Sequence, residues 1–235
     1  MHRIDPKNYY FSLKAKIMKL SFLFLATTVV LLSCNQGSQS ANTQVAASDS
    51  SVNKLSQPEP ESYYIDVHDM TPGKIKIADV AAAHEKDLAT EGKFGVNFIR
   101  YWVDPEKGKI YCLSKAPNEE SVINTHREAH GLLPSHVYQV TDGPEAAMEG
   151  NEQLYLDVHQ VAPGSVTAKD VADAHKKDLA VEKKYGVNFI NYWVDPKAGT
   201  IMCLSQAPDS GAIIKTHKEA HGLLPSYVLK VSQGE

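Results

Sequence analysis

The sequence predicts an α+β protein in which one small domain is written twice and the two copies pair within the chain. Three observations carry this. Shifting the sequence by 91 positions lays Tyr64 on Tyr155, His84 on His175, Cys112 on Cys203 and His130 on His221. The register holds from 63–143 to 154–234 without a gap and with 48 identities in 81 pairs, which marks a tandem duplication. Each copy then reads strand–helix–strand–strand–helix–strand, and the joint between copies is short. That order is the βαββαβ pattern of ferredoxin-like units. Two such units in one chain are expected to pack sheet against sheet as an intramolecular pseudo-dimer of the dimeric α+β barrel type, and so to be monomeric. The boundaries are 62–143 for the first repeat, 144–152 for the linker and 153–235 for the second repeat.

The first strand is Tyr63–His68, followed by a Pro72-Gly73 turn and a helix from about Ala78 to Lys93 that Gly95 stops. In the second copy Thr167 with Asp170 three residues on forms a capping box, whereas the first copy carries Lys76 at the Thr position and has a weaker cap. Two extended runs, Val96–Val103 and Lys109–Lys115, flank Asp104-Pro105-Glu106-Lys107-Gly108, which is hairpin-loop chemistry. A second helix starts after Pro117, with Asn118 (Asp209 in the other copy) as N-cap and Gly131 as the stop. His136–Val140 closes the unit as its last strand.

Ahead of the repeats lie a leader and a tether. Leu20–Leu32 is an apolar run behind Lys14, Lys16 and Lys19, too short for the roughly 20 residues of a secure span and matching a secretory signal. It ends in Leu31-Leu32-Ser33-Cys34, which resembles a bacterial lipobox. That resemblance implies that 1–33 is a lipoprotein signal peptide, that Cys34 is lipidated, and that the chain is membrane-anchored in the cell envelope on the periplasmic side. Residues 34–61 are rich in Ser, Gln, Asn and Pro with no aromatic residue and read as a disordered tether.

Composition narrows the function. Lys+Arg 24 against Asp+Glu 28 gives a net charge of −4, and removing 1–33, with five basic residues and one acidic, takes it to −8. No basic face recruits nucleic acid. An apolar content of 43% and 22% charge exclude a collagen-like or wholly disordered chain, and three cysteines exclude a disulfide scaffold.

Helical projection at about 100° per residue places His84 between Val80 and Leu88 in the apolar stripe of the first helix, with Asp87 at its margin. On the second helix His126 and His130 point with Val122 and Ile123 toward the core, one turn apart, a spacing that lets two imidazoles hold one ion. Cys112 lies on the third strand, the neighbour of the first in this topology, and Asp66 and His68 share one face of the first strand. The candidate metal ligands are therefore His84, Cys112, His126 and His130, with His175, Cys203, His217 and His221 in the second copy. Asp87 and Asp178 orient a histidine from behind, and Asp66, His68, Asp157 and His159 are further candidates. Nickel, copper, zinc and iron all accept such a set. Four of five histidines in the first copy recur in the second but only two of nine Lys/Arg do, so charge has drifted while inward histidines have not. The plainer readings are histidines satisfied within the core, His130 as a helix-end residue, Cys112 as a buried hydrophobe or in a Cys112–Cys203 disulfide, and Asp66 and His68 facing solvent. Tyr101 and Trp102 read as core or inter-copy packing.

The pattern Asp66-x-His68, Asp79-Val80-Ala81-x-Ala83-His84-x-x-Asp87-Leu88, Gly95-Val96, Tyr101-Trp102, Cys112-Leu113, Ala116-Pro117 and His126-Arg127-Glu128-Ala129-His130-Gly131 resembles the small nickel-binding, nickel-responsive ferredoxin-like domain family. The resemblance covers nearly all of both copies and implies nickel binding through His and Cys side chains and dimer-type association. This chain departs from the usual single cytosolic copy by duplication and by its leader. The expectation is a lipid-tethered module that binds nickel, with zinc or copper as alternatives. No nucleophile triad, phosphate-cradling Gly loop or cofactor fingerprint is present, which argues against an enzyme. The alternative is an α+β-barrel enzyme of oxygenase or isomerase type, acting on a small molecule between the copies with a His–Asp pair beside Tyr101 as base.

Overall fold

The computed structural model describes residues 61–235. The segment expected to be a signal peptide, the Cys34 expected to carry lipid and nearly all of the expected tether lie outside the described residues. Among those described, no helix is long and apolar enough to cross a membrane. The first repeat contains β1 (Ser62–Asp69), α1 (Ile77–Thr90), β2 (Asn97–Asp104), β3 (Lys109–Ala116), α2 (Glu119–Ala129) and β4 (His136–Asp142). The second contains β5 (Leu154–Gln160), α3 (Ala168–Val181), β6 (Asn188–Asp195), β7 (Thr200–Gln206), α4 (Ser210–Ala220) and β8 (Tyr227–Gly234).

Local chemistry sets the element ends. Asn118 and Asp209 accept from the amides of Ser121 and Ala212 at the starts of α2 and α4. Thr167 and Asp170 form the reciprocal box at α3, while Lys76 gives α1 no side-chain cap. The first helix is shorter than its sequence suggests: α1 ends at Thr90 and a tight 3-10 turn, Glu91–Lys93, follows. Glu91 Oε2 accepts from the Phe98 amide at 2.6 Å, and Glu182 does the same for Phe189 at 3.0 Å. Both bonds fall where β2 and β6 slip register, between Phe98 and Arg100 and between Phe189 and Asn191.

Each repeat orders its strands β4-β1-β3-β2 or β8-β5-β7-β6, all antiparallel. The sheets do more than stack. Tyr101–Val103 of β2 pairs with Ser232–Gly234 of β8, and Thr141–Asp142 of β4 pairs with Trp193–Val194 of β6, closing one eight-stranded barrel. Closure removes the exposed edges that each half would leave. At the two seams a glycine is required by space: a Cβ on Gly143 would run into the Tyr192 ring, and one on Gly234 into the Tyr101 ring.

Strand alternation then makes two kinds of core. Inward residues of both repeats, among them Ile65, Trp102, Leu113, Leu156, Trp193 and Leu204, fill the barrel, and the two indoles meet at 5.0 Å between ring centroids. Inside the barrel a space of about 70 Å³ remains at one mouth, between Tyr111, Tyr138, Met202 and Tyr227. On the outer face, α1 and α2 cover Tyr64, Phe98, Tyr101, Ile110 and Cys112, and the second repeat repeats this around Tyr155, Phe189, Tyr192, Ile201 and Cys203. Cys112 and Cys203 thus belong to separate cores, each buried and free, which sets aside the disulfide. Tyr101 and Trp102 divide as adjacent strand residues must, Tyr101 under the helices and Trp102 in the barrel.

Candidate metal centre

The site of each repeat lies between its helices and the outer face of its sheet. β1 turns Ile65 and Val67 into the barrel, so Asp66 and His68 face the helices and are buried, not solvated. Asp66 is register partner to Cys112 on β3. The projection of α1 needs correcting at one position. Leu88 is 40% exposed, and the buried stripe runs Val80, His84 and Asp87. The i, i+3, i+4 spacing is right, but the inward direction is rotated toward Asp87, because α2 offers it two imidazoles.

Those contacts form a triangle. Asp87 Oδ1 lies 2.9 Å from His126 Nδ1 and 3.1 Å from His130 Nε2, and the two ring nitrogens are 3.3 Å apart. In the second repeat Asp178, His217 and His221 give 3.0, 3.1 and 3.2 Å. Two donors each about 2.1 Å from one ion lie about 3.0 Å apart at a right angle and about 3.4 Å at the tetrahedral angle, so these separations suit a shared ion. Behind the triangle, His126 Nε2 and His68 Nε2 lie 3.2 and 3.1 Å from Asp66 Oδ1. The equivalent His217 and His159 are both 3.1 Å from Asp157 Oδ2 with hydrogen-bond geometry, which the first copy lacks. In the first copy Asp66 is therefore held by charge, between His126 and His68, rather than by well-aligned hydrogen bonds.

Electrostatics assigns the protons. Burial alone lowers the pKa of His126, but Asp66 and Asp87 outweigh it and raise it to about 10; His217 behaves alike. Each is an imidazolium between two carboxylates. Burial raises Asp66 and Asp157, yet the histidines hold both down at about 2. Burial lowers His130 more than Asp87 raises it, so it is neutral at pH 7. Its Nδ1 accepts from the Leu132 amide at 3.1 Å, which leaves its proton on Nε2, facing Asp87. Two N–H groups thus compete for one carboxylate.

The sequence-derived candidates separate here. Asp87, read as a supporting residue, joins His126 and His130 in the donor triangle, and Asp178 does so with His217 and His221. Asp66, His68 and Cys112 form a second, deeper group in the first repeat; in the second repeat that group is Asp157, His159 and His217, without Cys203. Burial first, then Asp66 and Asp87, pushes the Cys112 thiol well up, so it is protonated. His84 and His175 join neither group. His84 packs on Tyr101 at 4.7 Å and on Phe98 at 5.9 Å, so the residue beside Tyr101 is this imidazole and not a His–Asp pair. The double role of His126 was missed, although its Asp87 partner sits three residues after His84 and its Asp66 partner two before His68.

A family model described as nickel responsive protein SCO4226-like matches residues 64–140 and again 155–231. Among solved structures, SCO4226 from Streptomyces coelicolor A3(2) is 36% identical over a match covering 35% of this chain and 99% of that chain, with a TM-score of 0.33. A putative monooxygenase from Lactobacillus acidophilus NCFM matches at 9% identity, covering 74% and 93%, with a TM-score of 0.44. Chlorite dismutase from Candidatus Nitrospira defluvii in complex with imidazole matches at 7% identity, covering 74% and 90%, with a TM-score of 0.44. A comparison with curated protein sequences finds no match.

Proposed function

This chain belongs to the SCO4226-like family of nickel responsive proteins, and from that premise we propose that each repeat binds one divalent transition-metal ion, nickel first, at its Asp–His–His triangle. The observation that carries the reading is the triangle itself, built from the same three atoms in both copies with separations that agree within 0.1 Å. His126 binds through Nδ1 and keeps Nε2–H on Asp66, the carboxylate–histidine–metal arrangement that fixes ring orientation. His130, the most accessible member, forms the entrance. To bind through Nε2 it passes its proton to Nδ1, and the Leu132 amide turns away. The deeper group around Asp66 supports the triangle; a protonated Cys112 makes it the costlier place for an ion.

One chain, with its two repeats closed into one barrel, is then a complete binding unit that works as a monomer. The leader supports a lipid anchor on Cys34 and a place in the bacterial cell envelope, facing the periplasm, where an acidic tethered module buffers or sequesters the ion. Cys34→Ala is expected to release the protein from the membrane fraction.

The test of the metal reading is elemental analysis of protein purified without a His-tag and equilibrated with nickel, zinc and copper in competition. About two ions per chain are expected, falling to about one in His126→Ala and to none in His126→Ala/His217→Ala. Unchanged stoichiometry in the double variant would overturn the assignment.

A further inference from the structure

Beside the triangle of the first repeat lies a chamber of about 110 Å³ between α1, the loop after α2 and the sheet. Its exposed wall is mostly hydrocarbon, from Val80, Ala83, Ile110 and Leu132, and the triangle residues Asp87, His126 and His130 close one end. His84 also lines it, 4% exposed, and neither ring nitrogen has a hydrogen-bond partner. Tyr101 and Phe98 hold the ring in place. A buried imidazole is normally satisfied on at least one nitrogen. Among the described residues His84 belongs to none of the groups of three donors close enough to share an ion. Its partner must therefore come from outside the chain.

The chemistry of the walls selects that partner. Burial lowers the pKa of His84 against the pull of Asp87, so the ring is neutral at pH 7, with one nitrogen donating and one accepting. Asp87 and His126, which close one end of the chamber, already pair with each other at 2.9 Å, so a charged ligand would lose its hydration to otherwise apolar walls without an unpaired charge to meet. A purely apolar one leaves the imidazole unsatisfied. We propose that this chamber binds a small neutral molecule, one ring or a short chain, that carries a single hydroxyl. Its hydrocarbon lies against Val80, Ala83, Ile110 and Leu132, and its hydroxyl meets a ring nitrogen of His84. An engineered apolar cavity of roughly 150 Å³ holds benzene, so a single ring fills this smaller chamber and reaches its open side, while a short chain fits within it. In the second repeat the chamber at His175 is about 70 Å³, which makes it the weaker site. The proposal needs no bound ion, although Asp87, His126 and His130 of the triangle also line the chamber.

The experiment is a titration of the protein, stripped of metal with EDTA, with phenol and separately with benzene, followed through methyl resonances by NMR. Phenol is expected to bind saturably with shifts at Ala83 and Leu132, about tenfold more tightly than benzene, the value of one good hydrogen bond. His84→Phe, checked by near-ultraviolet circular dichroism, is expected to erase that tenfold preference while benzene still binds. His175→Phe is expected to change phenol affinity less than about twofold. Ala83→Leu fills the chamber and is expected to abolish both ligands. Equal affinity for phenol and benzene in the unmodified protein, an unaltered preference in His84→Phe, or binding that survives Ala83→Leu would each overturn the proposal. So would phenol binding that appears only after nickel is added, which would assign the hydroxyl to the ion.

Discussion

Raising the pH is the cleanest perturbation of the proposed metal site, because its central ligand begins as a cation. The pKa of His126 is about 10, although burial alone would lower it, because Asp66 and Asp87 flank it. An ion at Nδ1 must displace that proton. At pH 7 the group lies about three units below its pKa, so proton competition weakens binding by about a thousandfold, or about 4 kcal/mol. His130 contributes no net release, since its proton passes from Nε2 to Nδ1. The expectation is therefore about one proton released per ion and an affinity that rises about tenfold per pH unit from 7 toward 10. An ordinary histidine ligand, with a pKa of about 6.5, would level off just above neutrality. Calorimetry in buffers of differing ionisation enthalpy counts the protons, and competition with a chelator at about pH 6.5, 7.5 and 8.5 gives the slope. Nickel affinity that stays level between the last two, with no proton release, would refute the imidazolium bridge.

The metal-free protein should itself be sensitive to base. The pKa values of His126 and His217 are raised on folding, so their contribution to stability is full below about 6.5 and is lost as pH rises through about 10. Thermal melts between those limits should fall steadily without metal and remain flatter with nickel bound. Metal binding should also shift the backbone amides of Leu132 and Leu223, which donate to His130 and His221 at 3.1 Å, in a proton–nitrogen correlation spectrum; static amides would contradict the tautomer change. Gly143→Ala and Gly234→Ala should each destabilise by roughly 1–3 kcal/mol through the tyrosine rings at the seams, read as a drop in melting temperature. A neutral outcome would mean that the seams open without cost.

Much of this architecture was legible because it is encoded locally. The repeat, the strand order, the Thr167–Asp170 box and the Asn118 and Asp209 caps depend on neighbours a few residues away. The inward-facing histidines followed from the 3.6-residue period. What the period cannot supply is absolute direction: Leu88 and Asp87 are adjacent on the helix, and only the imidazoles of α2, 39 and 43 residues on, make Asp87 the buried one. Barrel closure was half legible for the same reason. Pairing of the copies followed from the duplication, but the β2–β8 and β4–β6 seams depend on tyrosine packing over Gly234 and Gly143, contacts that no local pattern records. The slip in β2 between Phe98 and Arg100 was equally hidden, because the Glu91 carboxylate that accepts from the Phe98 amide lies in the turn after α1.

The mouth of the barrel shows what fusion makes possible. A pair of identical subunits must present every residue twice, so any change made near their axis is made on both sides. Here Tyr111 of one copy faces Tyr227 of the other, with hydroxyls 3.0 Å apart, while their counterparts are Met202 and His136. Asp69 and Lys109 form an ion pair where the other copy carries Gln160 and Thr200, joined by a neutral hydrogen bond. No symmetric assembly can hold that arrangement, because it needs two different halves. By joining the copies into one chain, the duplication released this end of the barrel from mirrored change while both Asp–His–His triangles kept their shape.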